Sequence, residues 1–268
     1  MKVEHLKEFL IFGWKQALCC IFPVVIFMTL AISKVVHIDF IHRYDFILLV
    51  CILAQLLLVW SKLESVDELK VITLFHLIGL GLELYKVHMG SWSYPEEGWT
   101  KFGGVPLYSG FMYASVASYV CQAWKRFDLH LVHWPRTSIA VMIAVCIYAN
   151  FFTHHFAYDI RWFLIAGLVI LFYKTKVRFT VTTVPRQMPT MLSFALIAFF
   201  IWLAENISTF LGAWRYPDQE ISWQIVHWGK ITSWFLLVII TIISVAELKR
   251  IKYPEQVRGK VEKGASLK

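Results

Sequence analysis

The sequence predicts an all-α protein, a polytopic membrane helix bundle of about eight transmembrane helices built from two tandem four-helix parallel repeats. Three observations predict it. Apolar runs of spanning length fill most of the 268 residues. Lysines and arginines crowd into alternate connections between those runs. A glutamate followed by a Gly-x-Trp-x-Tyr-Pro turn occurs twice, 122 residues apart.

The apolar runs come first. Hydrophobic residues make up 58% of the chain and charged residues 16%, with a mean hydropathy of +0.60. A soluble domain is about 45–50% apolar and about 25% charged, so the excess belongs to lipid, where about 20 residues cross the hydrocarbon core as a helix. The runs cover roughly 11–33, 44–61, 69–89, 104–124, 137–155, 157–173, 189–211 and 226–247. The second and sixth are short enough to tilt or re-enter, which leaves seven spans as the alternative count. The connections "SKLESVDELK", "KRFDLHLVHWPR" and "KTKVRFTVTTVPRQMP" hold the turn formers and charges. The opening "MKVEHLKEFLIFGWKQALCC" mixes acids with bases and lacks a small-residue cleavage site, so the first span is expected to be retained. Cys19, Cys20, Cys51, Cys121 and Cys146 all lie in apolar runs without CxxC spacing, and read as small buried hydrophobes rather than disulfides or metal ligands.

The charges set the orientation. With the N-terminus inside, 18 lysines and arginines fall on cytoplasmic segments and 6 on the outer side, while Lys15 and Lys230 lie in spans. This positive-inside split places both termini on the cytoplasmic side of the membrane. It also explains the net charge of +8 as topology, so nucleic acid is not expected as a partner. The expected partner is the bilayer, with a lipid, isoprenoid or small-molecule ligand.

The duplication sets the architecture. The offset of 122 maps Glu83, Gly90, Trp92, Tyr94 and Pro95 onto Glu205, Gly212, Trp214, Tyr216 and Pro217. It also carries the run 104–124 onto 226–246 and the run 11–33 onto 133–155. Two halves result, 1–128 and 129–250, followed by a basic cytoplasmic tail, 251–268. Four spans per half is an even number, so the halves share one orientation about an axis along the membrane normal. Within each copy, the glycine suits a helix end, the Trp and Tyr suit the membrane interface, and the proline stops helical continuation.

The glutamates carry the functional argument. An acid inside a span costs about 2.5–3.5 kcal/mol on insertion scales, so it faces a bundle interior or cavity. Two at equivalent depth, across a pseudo-twofold axis, are placed to meet. The candidate catalytic residues are Glu83, Glu205, His76 and Lys230. His76 lies two turns before Glu83 on nearly the same helix face, with Gly79 and Gly81 thinning the helix between them. Lys230 is a candidate counter-ion for either acid. Trp92, Tyr94, Trp214, Tyr216 and Trp202 are candidates for substrate binding. The alternative for each glutamate is a polar staple bonded to groups such as Lys86, Asn206 or Lys230. Asn150, Thr153, His154, His155 and Asp159 mark the outer end of the fifth run. Adjacent histidines point apart on a helix and no HExxH spacing occurs, so no metal or cofactor is expected. The sequon at Asn206 falls inside a span and is not expected to be an acceptor.

The first copy, with Glu83, "GSWSYP" and then "FGGVPLYSGFMYASVASYV", resembles the uncharacterised YoaT-like family of bacterial multi-pass membrane proteins over most of the chain. That resemblance implies a multi-pass membrane fold and carries no established activity. A weaker similarity links Glu83, Gly90, Tyr94 and Gly104-Val105-Pro106 to membrane-embedded carotenoid hydratases and cyclases, although the Thr-Gly-x-Pro-Phe-Gly wording of those enzymes is missing. The similarity implies cofactor-free protonation of a polyene by a buried carboxylic acid.

Three readings follow. The first is a membrane-embedded enzyme in which Glu83 or Glu205 is a general acid on a lipid or isoprenoid, with aromatic faces shielding a cationic transition state. The second is a proton-coupled transporter or channel using the same carboxylates and Lys230. The third is a non-catalytic membrane scaffold.

Overall fold

The computed structural model describes residues 2–36 and 39–252. The protein is mostly helical, in the order α1 (Lys2–Cys19), α2 (Ile21–Val35), α3 (Arg43–Trp60), α4 (Val66–His88), β1 (Lys101–Phe102), β2 (Val105–Pro106), α5 (Ser109–Arg126), β3 (His130–Val132), α6 (Thr137–Thr153), α7 (Arg161–Phe172), β4 (Lys176–Thr180), β5 (Pro185–Pro189), α8 (Thr190–Phe210) and α9 (Lys230–Lys252). Among the described residues, α3, α4, α8 and α9 are long and apolar enough to cross a bilayer, and the pair α1–α2 is a fifth candidate if its two arms count as one span.

The expected runs change in four places. The first breaks at Cys20, where α1 and α2 meet at 66°. Pro23, which has no N–H to give, fits this break because it falls in the first turn of α2. The fourth run starts late. Gly103 and Gly104 both take positive φ (+55° and +81°) to turn the β1–β2 hairpin, as two-residue hairpin turns require, and helix begins only at Ser109. The runs at 137–155 and 157–173 become the short helices α6 and α7. The connection "KTKVRFTVTTVPRQMP" is not a loop. It forms β4 and β5, which with β3 make an antiparallel sheet in the order β3-β4-β5, so the fold is not all-α. Period-two alternation builds the sheet: Val177 and Phe179 face one way, and Lys176 and Arg178 the other.

Helix α5 organises the bundle. It packs along α4 and also touches α1, α2 and α9, while α8 runs beside α9. Its buried face is made of small residues, including Ala114, Ala117, Ser118 and Cys121, which let neighbouring backbones approach. The face is therefore too polar to resemble a lipid-facing span. Helix α4 begins with a capping box: Ser65 Oγ accepts from the Glu68 N–H at 3.3 Å, and Glu68 accepts from the Ser65 N–H at 2.8 Å. The same carboxylate binds Lys125 of α5 at 2.5 Å and Lys249 of α9 at 2.7 Å, tying three helices together at one end.

The cysteines are free thiols; Cys19, Cys51 and Cys121 are buried and Cys20 is partly so. Cys146 departs from the expectation, being exposed on α6. Of the expected basic tail, everything beyond residue 252 lies outside the described residues.

Candidate functional site

Each copy of the motif folds the same way. Helix α4 ends with Gly90 at φ +70°, its N–H on Val87 O, and with the Ser91 N–H on Lys86 O. Helix α8 ends with Gly212 at φ +78°, its N–H on Thr209 O, and with the Ala213 N–H on Ser208 O. Both are left-handed glycine terminators in which the sixth residue bonds back to the first. The two turns that follow bond to each other. Ser93 and Arg215, which stand at equivalent positions, exchange N–H···O bonds of 2.9 Å in both directions.

The turns bring aromatic side chains back onto the glutamates. Glu83 and Glu205 are 3% and 4% exposed. Tyr94 donates to Glu83 Oε2 at 2.8 Å and Trp92 Nε1 to the same oxygen at 2.7 Å, while Tyr113 of α5 donates to Oε1 at 2.8 Å. Glu205 accepts from the Tyr216 hydroxyl and from Trp234 Nε1 of α9, the latter at 2.8 Å. The spacing of eleven residues from acid to tyrosine recurs in the two bonds. Burial, reinforced by the adjacent carboxyl, pushes the Tyr94 and Tyr216 phenols well above their usual range, so both remain hydrogen-bond donors.

The two acid sites touch through their donors. The Trp92 ring meets Tyr216 edge-on, centroids 5.9 Å apart, and Tyr113 lies 6.3 Å from Trp234. Lys230 caps this contact, with its ammonium 5.1 Å from the Trp92 centroid and 4.4 Å from that of Tyr216. It forms a cation–π cage rather than a salt bridge. Both glutamates, with Trp92, Trp214, Tyr216 and Trp234, line one groove of about 660 Å³. The groove runs between α2, α5 and α8 down to the inner face of the sheet, at Leu131, Val177, Phe179 and Met188. Among its lining residues, Glu83 and Glu205 are the charged ones.

Seven of the nine candidate residues therefore come together: Glu83, Glu205, Lys230, Trp92, Tyr94, Trp214 and Tyr216. Two do not. The His76 ring packs on Phe111 at 4.4 Å, against the backbone of α5 at Gly110, and its Nδ1 is buried without a partner. Trp202 gives its indole N–H to Val226 O at 2.9 Å and positions the approach to α9. Nor are the glutamates staples to Lys86, Asn206 or Lys230, since their hydrogen bonds go to aromatic donors. The Asn206 side chain is committed to Trp202 O and the Val226 N–H, away from any glycosylation role.

The histidines correct a second expectation. Helix α6 ends at Thr153, so His154 and His155 do not point apart. Their rings lie 4.2 Å apart and both Nε2 atoms reach Lys86 Nζ, at 3.3 and 3.1 Å. No group of three or more metal-ligating side chains occurs among the described residues. Tyr113 and Trp234 were not foreseen. Each follows its motif on the next helix, but they miss the 122-residue offset by one position, so the duplication does not flag them.

Comparison with known proteins finds relatives along almost the whole chain. The profile of a family described as "Protein of unknown function (DUF817)" matches residues 8–242. The uncharacterized protein YoaT of Bacillus subtilis (strain 168) is 56% identical over 264 residues, covering 98% of this chain and 100% of that one. A crystal structure of a cross-linked MvINS trimer aligns with a TM-score of 0.45 at 14% identity, over 70% of this chain and 97% of that one. That likeness is too distant to bear on function.

Proposed function

Because the chain belongs to the DUF817 family, whose description assigns no activity, we propose a function from its own geometry. It is a cofactor-free, membrane-embedded enzyme in which the Glu83–Glu205 pair serves as general acid on a lipid or isoprenoid held in the groove. The observation that carries this reading is the placement of both carboxyls in one groove whose lining is otherwise uncharged. Two acids face one lysine, so one proton makes the site electrically neutral, and a low-dielectric site favours neutrality. That proton passes from the carboxylic acid to an alkene carbon, leaving a carboxylate and a carbocation. The faces of Trp92, Trp214, Tyr216 and Trp234 suit the cation. Return of a proton from the adjacent carbon to the carboxylate closes the cycle as a double-bond isomerisation, with no oxidant or reductant.

The setting belongs to the same proposal: a multi-pass protein of the bacterial cell membrane, both termini cytoplasmic, made of two tandem four-helix halves. The matching glycine terminators, the matching acid–tyrosine bonds and the reciprocal Ser93–Arg215 pair support the repeat, since a two-fold contact pairs a residue with its own equivalent. That contact also favours a second reading. Transporters built from repeats bind substrate and protons where the repeats meet, and a proton-coupled carrier would use the same pair.

The test is lipid analysis of a deletion strain complemented with Glu83→Gln, Glu205→Gln or wild type. The enzyme reading expects a precursor to accumulate in the deletion strain and in both variants, and to vanish with wild type. Unchanged lipid profiles in all strains, combined with loss of proton-dependent uptake in both variants, would replace it with the carrier.

A further inference from the structure

The groove is not uniformly apolar, and its polar groups are spaced along it. Glu83 and Glu205 lie at one end. Along α5, Tyr119 comes six residues after Tyr113, about 9 Å farther at 1.5 Å per residue. Its hydroxyl donates to Gln16 Oε1 at 2.9 Å, and Gln16 also lines the groove. Along α8, Ser193 comes twelve residues before Glu205, about 18 Å away, in the first turn after the sheet. Ser193 Oγ is shielded from solvent and has no hydrogen-bond partner, although the residue lines the groove. An unpaired buried hydroxyl costs about 1–3 kcal/mol, and a partner lying in the groove would remove that cost.

We infer that the groove takes a long-chain amphiphile with an uncharged, oxygen-bearing head, such as a long-chain or polyprenyl alcohol, aldehyde or ester, oriented with its head at Ser193 beside the sheet and its far chain carbons at the acid pair. This rests on the reading of the groove as a ligand site and adds the ligand's class and direction. The head is uncharged because no cationic side chain lines the groove, so a phosphate or carboxylate would lie there uncompensated. It carries an oxygen acceptor because the Gln16 amide and the Ser193 hydroxyl both have a hydrogen to give. The chain is long because the span from Ser193 to Glu205 takes up about 18 Å of a hydrocarbon core about 30 Å thick. The reacting double bond is consequently remote from the head.

The experiment uses the full-length protein in nanodiscs with two long-chain alcohols, one bearing a diazirine next to the hydroxyl and one bearing it at the chain terminus. Irradiation and peptide mass spectrometry read the labelled residues. The head-proximal probe is expected on 193–197 and 16–20, and the terminal probe on 112–116 and 204–208. Ser193→Val and Gln16→Leu, checked for unchanged monodispersity and melting, should cut labelling at least fivefold while leaving labelling by a head-less alkane diazirine unchanged. The reverse labelling order, or equal labelling by the alkane and by both alcohols in wild type, overturns the inference. Labelling at Glu83→Gln and Glu205→Gln separates it from the enzyme reading: the expected pattern in these variants, alongside an unchanged lipid profile in cells, removes the catalytic proposal and leaves this one standing.

Discussion

Gly79 and Gly81 stand two residues apart on α4 and should behave oppositely when replaced by alanine. A Cβ at Gly79 would lie 2.5 Å from Tyr113 Cδ2, 2.6 Å from Cγ and 2.8 Å from Cβ, whereas a Cβ at Gly81 meets nothing within 4 Å. The Tyr113 ring must therefore retreat by about 1 Å to reach ordinary contact (about 3.5–4.0 Å between carbons). That retreat pulls its hydroxyl away from Glu83 Oε1, 2.8 Å away in the native site. Overpacking costs about 1–3 kcal/mol and a lost hydrogen bond to a charged group about 1.5–3 kcal/mol, so Gly79→Ala should destabilise by about 3–5 kcal/mol. Gly81→Ala should be neutral or stabilise by up to about 1 kcal/mol through helix propensity. Thermal unfolding in detergent, followed by fluorescence-detected gel filtration, would show a Tm drop of about 6–20 °C for Gly79→Ala, taking about 2–4 °C per kcal/mol. Tyr113→Phe supplies the cycle: with the hydroxyl already gone, Gly79→Ala should cost only its steric part, giving a coupling energy equal to the hydrogen-bond part, about 1.5–3 kcal/mol. Equal melting temperatures for Gly79→Ala and Gly81→Ala would refute the packing of α4 on α5 through Tyr113, and with it the third donor to Glu83.

Other expectations follow from the same geometry. Gly90→Ala and Gly212→Ala should each cost about 1–2 kcal/mol, the penalty of a left-handed L-residue; a loss at only one site would contradict matched helix ends. Glu68→Ala strands Lys249, whose side chain is 14% exposed, and should cost about 3–5 kcal/mol as a broken buried pair, against under about 0.5 kcal/mol for Lys70→Ala at the exposed pair with Asp67. Burial first, then the Lys86 charge, lowers the pKa of His154 and His155 from the usual 6.5. Their folded values lie below the unfolded ones, so the stability they contribute is complete above about pH 6.5 and is lost as pH falls. Asp159 and Arg161 are the other charges facing His154, and they act in opposite directions. Melting temperature should fall between pH 7.5 and 5.5, and the slope should flatten in His154→Gln/His155→Gln; an unchanged slope would remove the histidines from the account.

The acid pair and its turn were legible because five identities at one spacing encode backbone needs, and a left-handed glycine or a helix-stopping proline leaves few substitutes. The partners from α5 and α9 were not legible. Tyr113 and Trp234 reach the glutamates through tertiary packing, and a one-residue shift hides them from the repeat. Hydropathy located α3, α4, α8 and α9 because each turns an apolar surface outward. It misplaced α5, whose central position calls for small residues, and it said nothing of the direction change at Cys20, because a bent chain and a straight one are equally greasy. The sheet was missed for a different reason. Its alternating lysines, arginines and threonines read as a charged connection, although Val177, Phe179 and Met188 fall on one side of it. The polar groups of the groove were passed over singly, since Gln16 and Ser193 gain meaning only from facing the same space.

The sheet at the foot of the groove also fixes an order of events during synthesis. Strand β3 ends at Val132 while β4 and β5 occupy 176–189, so α6 and α7 are looped out between partners that must pair. Such pairing waits on sequence-distant contacts. Residues 130–132 leave the ribosome first and have no strand to join until the chain has passed Thr180, after α6 and α7 have been made. The floor of the groove is thus in the chain before its α8 wall, which begins at Thr190 directly after β5 and carries Glu205. The groove can enclose its contents only once α8 and α9 have been made against a sheet already able to form.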